Sequence, residues 1–429
     1  MTTNVVQPDP DIPPQKIDSE TGSAPPPLLP SPAPPLLEAH RKPAAARKYL
    51  AVVLSLCLGL FVIDGLVSVV DDTLVFLFGI HFLWLIRGLV FLVTLILIIV
   101  TYLLIGVTPM VPKRIFLPLT LFIPCAELLP VLFSIYHFNR LPQFAFALSL
   151  CEAILGVGLL YCVLGGFKLR WPLVSESQLE GRGFSWWNLC GFLLGNIFLL
   201  IPAVAGYLFV CLALSINHFS EGFVSLSPKG LTVQMRKYVR ADGKTIRLFP
   251  MVHIADADFY GKVSESFPTN SIILMEGVTD EKKLLTNGIS YHRIAKKLGL
   301  GEQQKAFRPE RGDMVRADVD VQDFSTNTIA LLNLVMYIHA QGLNVGTLMK
   351  VLQYPQPPGF EDQLFDDILK KRNQNLLKEI NAHLSDTENI VVPWGAMHMP
   401  GVSAGIEKTG FHQDGSQDYL AIGFFGNSK

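Results

Sequence analysis

The sequence predicts a multi-pass α-helical membrane domain joined to a soluble α/β domain, and three observations carry that reading. Half of the 429 residues are hydrophobic and 17% are charged, against roughly 25% charged in ordinary soluble proteins. The charge is unevenly spread: residues 49–215 hold 14 Asp, Glu, Lys or Arg in 167 positions, whereas residues 216–429 hold 47 in 214. Residues 1–48 hold 12 of the 29 prolines and few bulky apolar side chains, so this stretch reads as a disordered tail. The first apolar run starts near Tyr49, too late and too long for the apolar region of a signal peptide.

Five stretches reach the ~20 helical residues that a bilayer core requires: about 49–70, 88–107, 115–136, 143–165 and 187–214. Thr73–Ile86 is only 14 residues long and abuts Arg87, so it reads as an interfacial or re-entrant piece. Nine basic residues (Arg41, Lys42, Arg47, Lys48, Lys113, Arg114, Lys168, Arg170 and Arg182) fall in loops on one side, and only Arg87 and Arg140 on the other. By the positive-inside rule the N-terminus is cytoplasmic, and five spans put the C-terminal domain outside the cytoplasm. Asp64, Glu127 and Glu152 lie within spans and are expected to hydrogen-bond across helices as protonated carboxyls. Gly191 and Gly195 are spaced as a close-packing motif in the fifth span.

Residues 216–429 alternate strand-like and helix-like patterns, which indicates α/β architecture. Leu231–Val239 and Lys244–Val252 flank Ala241-Asp242-Gly243, a hairpin turn signal. Asp256 is placed to cap a following helix, and Ser271–Gly277 and Asn389–Trp394 read as buried strands. Helices are expected near 281–298, 327–341 and 360–384, and Pro400 sits where a further one would begin.

The 23 basic and 24 acidic residues of this part cancel, leaving no electrostatic footprint for nucleic acid. All six cysteines lie in the apolar part, so the soluble part has no thiol nucleophile. Three polar residues end apolar strands: His253, Glu276 and His398. Carboxyl ends of neighbouring strands are where α/β folds gather functional groups, and two imidazoles with a carboxylate form a usable ligand set for a divalent ion. Local pairing at the strand ends is the competing reading. Arg372 alone reads as part of an exposed Lys-Lys-Arg face, and Asp318 and Asp320 as solvated acids on one strand face. His292, His339, His383 and His412 show no partner pattern, and Ser403 in Gly401-Val-Ser-Ala-Gly405 lies in a helix start rather than a nucleophile elbow.

Lys371-Arg372-Asn373-Gln374-Asn375, an apolar strand, then Gly395-Ala396-Met397-His398-Met399-Pro400-Gly401 resembles the hallmark of the TraB/PrgY/GumN and Tiki superfamily. Met251-Val252-His253 and Leu274-Met275-Glu276 add to the likeness, which covers about residues 230–412. The resemblance implies a metal-dependent, peptidase-like hydrolase, with a divalent metal held by His253, Glu276 and His398, and Arg372 supporting the site; the asymmetry of the basic loops places that activity on the extracytoplasmic side. One departure is Pro250, where the family has glycine. The partners expected are the lipid bilayer and a peptide or protein substrate. A module that captures a peptide signal or a metal without turnover is the alternative, and a transporter bundle regulated by the soluble domain is a third.

Overall fold

The computed structural model describes residues 41–425 except 167, 180, 287–291, 343 and 355–356. Most of the proline-rich stretch, residues 1–40, therefore lies outside the described residues.

Four helical stretches are long and apolar enough to cross a membrane: Ala45–Phe78, Trp84–Val107, Lys113–Leu164 and Trp186–Phe219. The third is broken at Phe138–Arg140 into α3 (Lys113–His137) and α4 (Leu141–Leu164). These fold back on each other, with Phe133 and Phe144 stacked 4.2 Å apart. α1 (Arg41–Phe78) is the central helix. Its Leu54, Leu58 and Phe61 pack with Ile98 and Ile105 of α2 (Trp84–Val107) and with Phe116 and Leu119 of α3.

The segment expected to be interfacial is divided differently. α1 runs on to Phe78 and stops where Gly79 turns left-handed (φ 68°), a conformation that glycine adopts at no steric cost. The turn occupies 79–83, and Arg87 sits in the first turn of α2. The polar pair Asp71-Asp72 does not end α1, because Arg87 bonds both carboxylates (3.3 and 2.5 Å) and the Leu83 amide donates to Asp71.

The last stretch joins α5 (Trp186–Gly195) to α6 (Ile201–Phe219) through a π turn at Asn196–Leu200. Pro202 has no N–H for the carbonyl one turn earlier, and a wider turn absorbs the mismatch. In its most apolar window 6% of the residues are buried, against 56% in that of the first stretch, so its apolar surface faces outward. Gly191 and Gly195 are not packing positions, since an added Cβ at either would meet nothing within 4 Å. The close approach is instead at Gly65, where a Cβ would lie 2.9 Å from the Ala153 backbone nitrogen of α4. Gly65→Leu should therefore force α1 from α4 at a cost of about 1–3 kcal/mol, while Gly191→Leu should be neutral. Melting of the detergent-solubilised chain checks this; equal shifts in both variants contradict it.

α6 passes the expected boundary at 215, ends at Phe219, and packs Ile216 against the soluble core. The C-terminal part is built on a seven-stranded mixed sheet. β1 (Val224–Ser227), β2 (Gly230–Val239) and β3 (Thr245–Met251) are antiparallel. β3, β8 (Asn389–Gly395), β5 (Ile272–Met275) and β7 (Asp313–Arg316) then run parallel in that order. A short pair, β4 (Ile254–Ala255) and β6 (Gly301–Glu302), lies apart, and β9 (His412–Gly423) returns to pair with β2. The expected hairpin is present, with Gly243 left-handed (φ 87°) at its turn.

Alternation along the strands sends side chains to two cores. Ile246, Leu248, Ile390, Val392 and Trp394 pack with Leu376 and Ile380 of helix Arg372–His383 and with Val402 and Ile406 of helix Met399–Glu407. Phe249, Met251, Ile273 and Val391 pack on the other face with Phe259, Tyr260 and Val263 of α7 (Ala257–Glu265). Pro400 lies in the first turn of its helix, as the sequence indicates. Asp256 stands at the N-cap of α7 as expected, but its carboxylate makes no capping bond; it accepts the Gly423 amide (3.0 Å) and fastens β9. Within the helix expected at 281–298, only His292–Leu298 is helical among the described residues.

Candidate functional site

Parallel pairing places the carboxyl ends of β3, β8 and β5 side by side. Glu276 follows β5 directly. Its Oε2 accepts the Gly395 amide at 2.5 Å, and its Oε1 accepts from Arg372 Nη2 at 2.8 Å. Arg372, at the start of its helix, also grips Asp318 with a two-pronged bond, Nε to Oδ1 at 2.9 Å and Nη2 to Oδ2 at 2.6 Å. Asp318 completes its bonding with the Gly277 and Val319 amides. The guanidinium carbon lies 5.5 Å from the centroid of the Trp394 ring. Arg372 is thus buried, with Nε and Nη2 held by two carboxylates, and is not part of an exposed basic face.

Asp318 is likewise buried, not solvated: its side chain is 1% exposed. It lies in the loop after β7, and Asn375 fastens that loop to the helix by donating to the Ala317 carbonyl (3.0 Å). Asp320 has a separate task, accepting from Thr279 and from the Glu281 and Gln322 amides.

His398 sits in the turn after β8, with its ring perpendicular to Trp394 at 5.2 Å. Its Nδ1 bonds Asn373 Oδ1 at 2.7 Å. With the amide oxygen as acceptor, Nδ1 carries the hydrogen, which leaves the lone pair on Nε2, 3.7 Å from Glu276 Oε1. The glycines of the motif provide room: a Cβ at 395 would crowd both Glu276 oxygens at 3.3–3.4 Å, and one at 401 would lie 2.5 Å from Asn373 Nδ2. Adjacent residues Arg372 and Asn373 therefore hold the carboxylate and the imidazole from one helical turn. Asn373 and Trp394 are the members that sequence reasoning did not single out, although both fall within or beside the quoted block.

His253 lies two residues beyond β3 and is exposed; its carbonyl accepts the Gln303 amide at 2.9 Å. It shares the sheet edge with Glu276 and His398, but among the described residues no three His, Cys, Asp or Glu side chains are arranged to hold a metal. Glu276 already spends one oxygen on a guanidinium and the other on an amide. A divalent ion does not fit this donor set as it stands. Pro250, facing Trp394 across the strand pair, is accommodated within β3.

Of the other histidines, His383 pairs with Asp386 (3.0 Å) and His412 begins β9. Ser403 is helical as expected, hydrogen-bonded to the Tyr238 hydroxyl at 2.8 Å.

Burial, and then the neighbouring Arg372 charge, push the His398 imidazole down from 6.5 to about 4. The unfolded chain takes up this proton near 6.5 and the folded chain only near 4, so stability falls as pH drops through that window. Protection of the amides in residues 389–398, taken relative to the intrinsic exchange rate at each pH, should fall across it in the native chain and less so in His398→Gln. Identical pH dependence in both contradicts the assignment.

Comparison with known proteins yields no match. No family model, curated protein or solved structure is similar to the chain at a significant level.

Proposed function

We propose that the chain is a membrane-anchored hydrolase of peptide-like substrates, acting at Glu276, His398 and Arg372. The observation that carries this reading is a neutral histidine whose Nε2 lone pair faces a carboxylate, beside a guanidinium, at the carboxyl ends of parallel strands. Nε2 would take a proton from water as that water attacks a carbonyl. Glu276 is the member nearest solvent, its side chain 16% exposed against 5% for His398, and it would steady the imidazolium that forms. Arg372 commits Nε and Nη2 to carboxylates, and its remaining nitrogen would meet the developing oxyanion. The motif resemblance to the TraB and Tiki superfamily implies roles for the same Glu276, His398 and Arg372, with His253 and a metal in addition.

Five crossings follow from splitting the third stretch at Phe138–Arg140, and contacts within the bundle support them. Lys113 bonds Asn188 at one end of α3, while Tyr136 meets His218 (4.8 Å) at the other. α3 and the α5–α6 rod therefore run the same way, which carries the soluble part to the far end from Lys48. With the basic loops cytoplasmic, that end is extracytoplasmic. A reporter after Lys429 that is active only in the cytoplasm would refute this orientation.

Incubating the detergent-solubilised chain with a mixed peptide and ester library, and following new termini by mass spectrometry, tests the activity. Turnover that a chelator abolishes and added divalent ions restore would assign the site to a metal instead. Ligand binding without products would favour a capture module.

A further inference from the structure

The helical bundle encloses a cavity of about 460 Å³ between α1, α2, α3 and α4. Its charges do not balance. From α1 it receives Asp64 and Asp71, with Asp72 close behind; from α3, Glu127; from α4, Glu152. The only Lys or Arg in the lining is Arg87, which is already taken by Asp71 and Asp72, and Ser149 donates to Asp72 as well (2.5 Å). His81 stands at the exposed end.

Deeper in, the expected bonds between carboxyl groups across the helices are absent. Both oxygens of Asp64 and Oε1 of Glu152 are buried with no hydrogen-bond partner among the described residues. Asp64 is 1% exposed and Glu152 7%, and the two belong to the neighbouring residue pairs Asp64-Gly65 and Glu152-Ala153 of the α1–α4 close approach. Unpaired polar groups in an apolar interior cost several kcal/mol unless something satisfies them. The missing partner must be a donor, and the excess of carboxylates calls for a positive one.

The shape of the cavity narrows the choice. At ~30 Å³ per water the space far exceeds a bare ion, and among the described residues no three acidic side chains are arranged to hold a metal. Between the carboxylates the walls are Trp84, Phe91, Ile123 and Leu148, aromatic and aliphatic surface. Carboxylates beside an apolar wall suit an ammonium head on a short hydrocarbon body. We propose that this cavity binds a small organic ammonium ion, its head between Asp64 and Glu152 and its body against Trp84 and Phe91. The inference is independent of the soluble-domain site.

Titration of the full chain in detergent with methylammonium to hexylammonium tests it, using 1-butanol, sodium and calcium at matched ionic strength as controls. At least one alkylammonium should bind saturably and raise the melting temperature, and the neutral alcohol and both metal ions should not. Asp64→Asn and Glu152→Gln should each weaken binding roughly tenfold or more, while Glu176→Gln, outside the cavity, should not. Should a variant fail to fold, the native chain still decides, because binding must weaken on acidification as the carboxylates take up protons. The proposal is overturned by failure of the whole series to bind, by equal binding of sodium or calcium, by insensitivity to acid, or by binding that survives both substitutions.

Discussion

Arg372→Ala should destabilise the soluble part by about 3–5 kcal/mol, the usual cost of removing one member of a buried ion pair. The guanidinium holds two carboxylates at 2.6–2.9 Å, and without it Asp318, 1% exposed, keeps a charge that solvent cannot reach. Arg372→Lys should recover part of the loss, because one ammonium cannot reproduce the planar grip on Asp318. Amide exchange in residues 272–277 and 389–398 reads the effect directly, since both strands end at this pair. Exchange as slow as in the native chain would mean that the guanidinium does not brace the sheet edge.

The second large effect is on turnover. His398→Ala removes the proposed base and should lower kcat/KM by about 10²–10⁴-fold. Glu276→Gln should approach the same loss while keeping the side chain's shape. The double variant should be scarcely worse than either single one, because groups that act as a unit are not additive. Asn373→Leu should cost less, since it frees the imidazole to rotate but leaves the base present. Losses that multiply in the double variant would show that the two residues work separately.

Much of this arrangement is legible before any coordinates, and the reasons are local. The change in charge density near residue 215 divides the chain, although α6 overruns it by four residues to Phe219. The Asp242-Gly243 turn locates β2 and β3, and apolar runs locate β5 and β8, so Glu276 and His398 fall at strand ends. The Arg372-Asn373 and Gly395 to Gly401 block is readable because each residue there answers another: glycine leaves room where a carboxylate and an amide approach.

What is not legible depends on distant partners. Asp318 reads as solvated because nothing in Ala317-Asp318-Val319 announces the arginine 54 positions away. The first span reads as closing near residue 70, with Thr73–Ile86 as a separate piece, because nothing local shows that Asp71 and Asp72 are met by Arg87 beyond a turn. The glycine that matters in the bundle is Gly65, not the motif-like Gly191 and Gly195, since its value lies in the backbone of another helix. β9 was invisible because its polar residues His412 to Asp418 alternate with no apolar face.

The dependence of kcat/KM on pH, measured for the full chain, tests most directly the claim that His398 is a buried, neutral base facing Glu276. The rate should stay high into acid and fall with a midpoint near about 4, where burial and Arg372 place the imidazole and where protonation removes the lone pair on Nε2. A limb near 6.5, the ordinary value for histidine, would contradict a buried imidazole as the base, and a rate unchanged by acid would contradict a histidine base altogether.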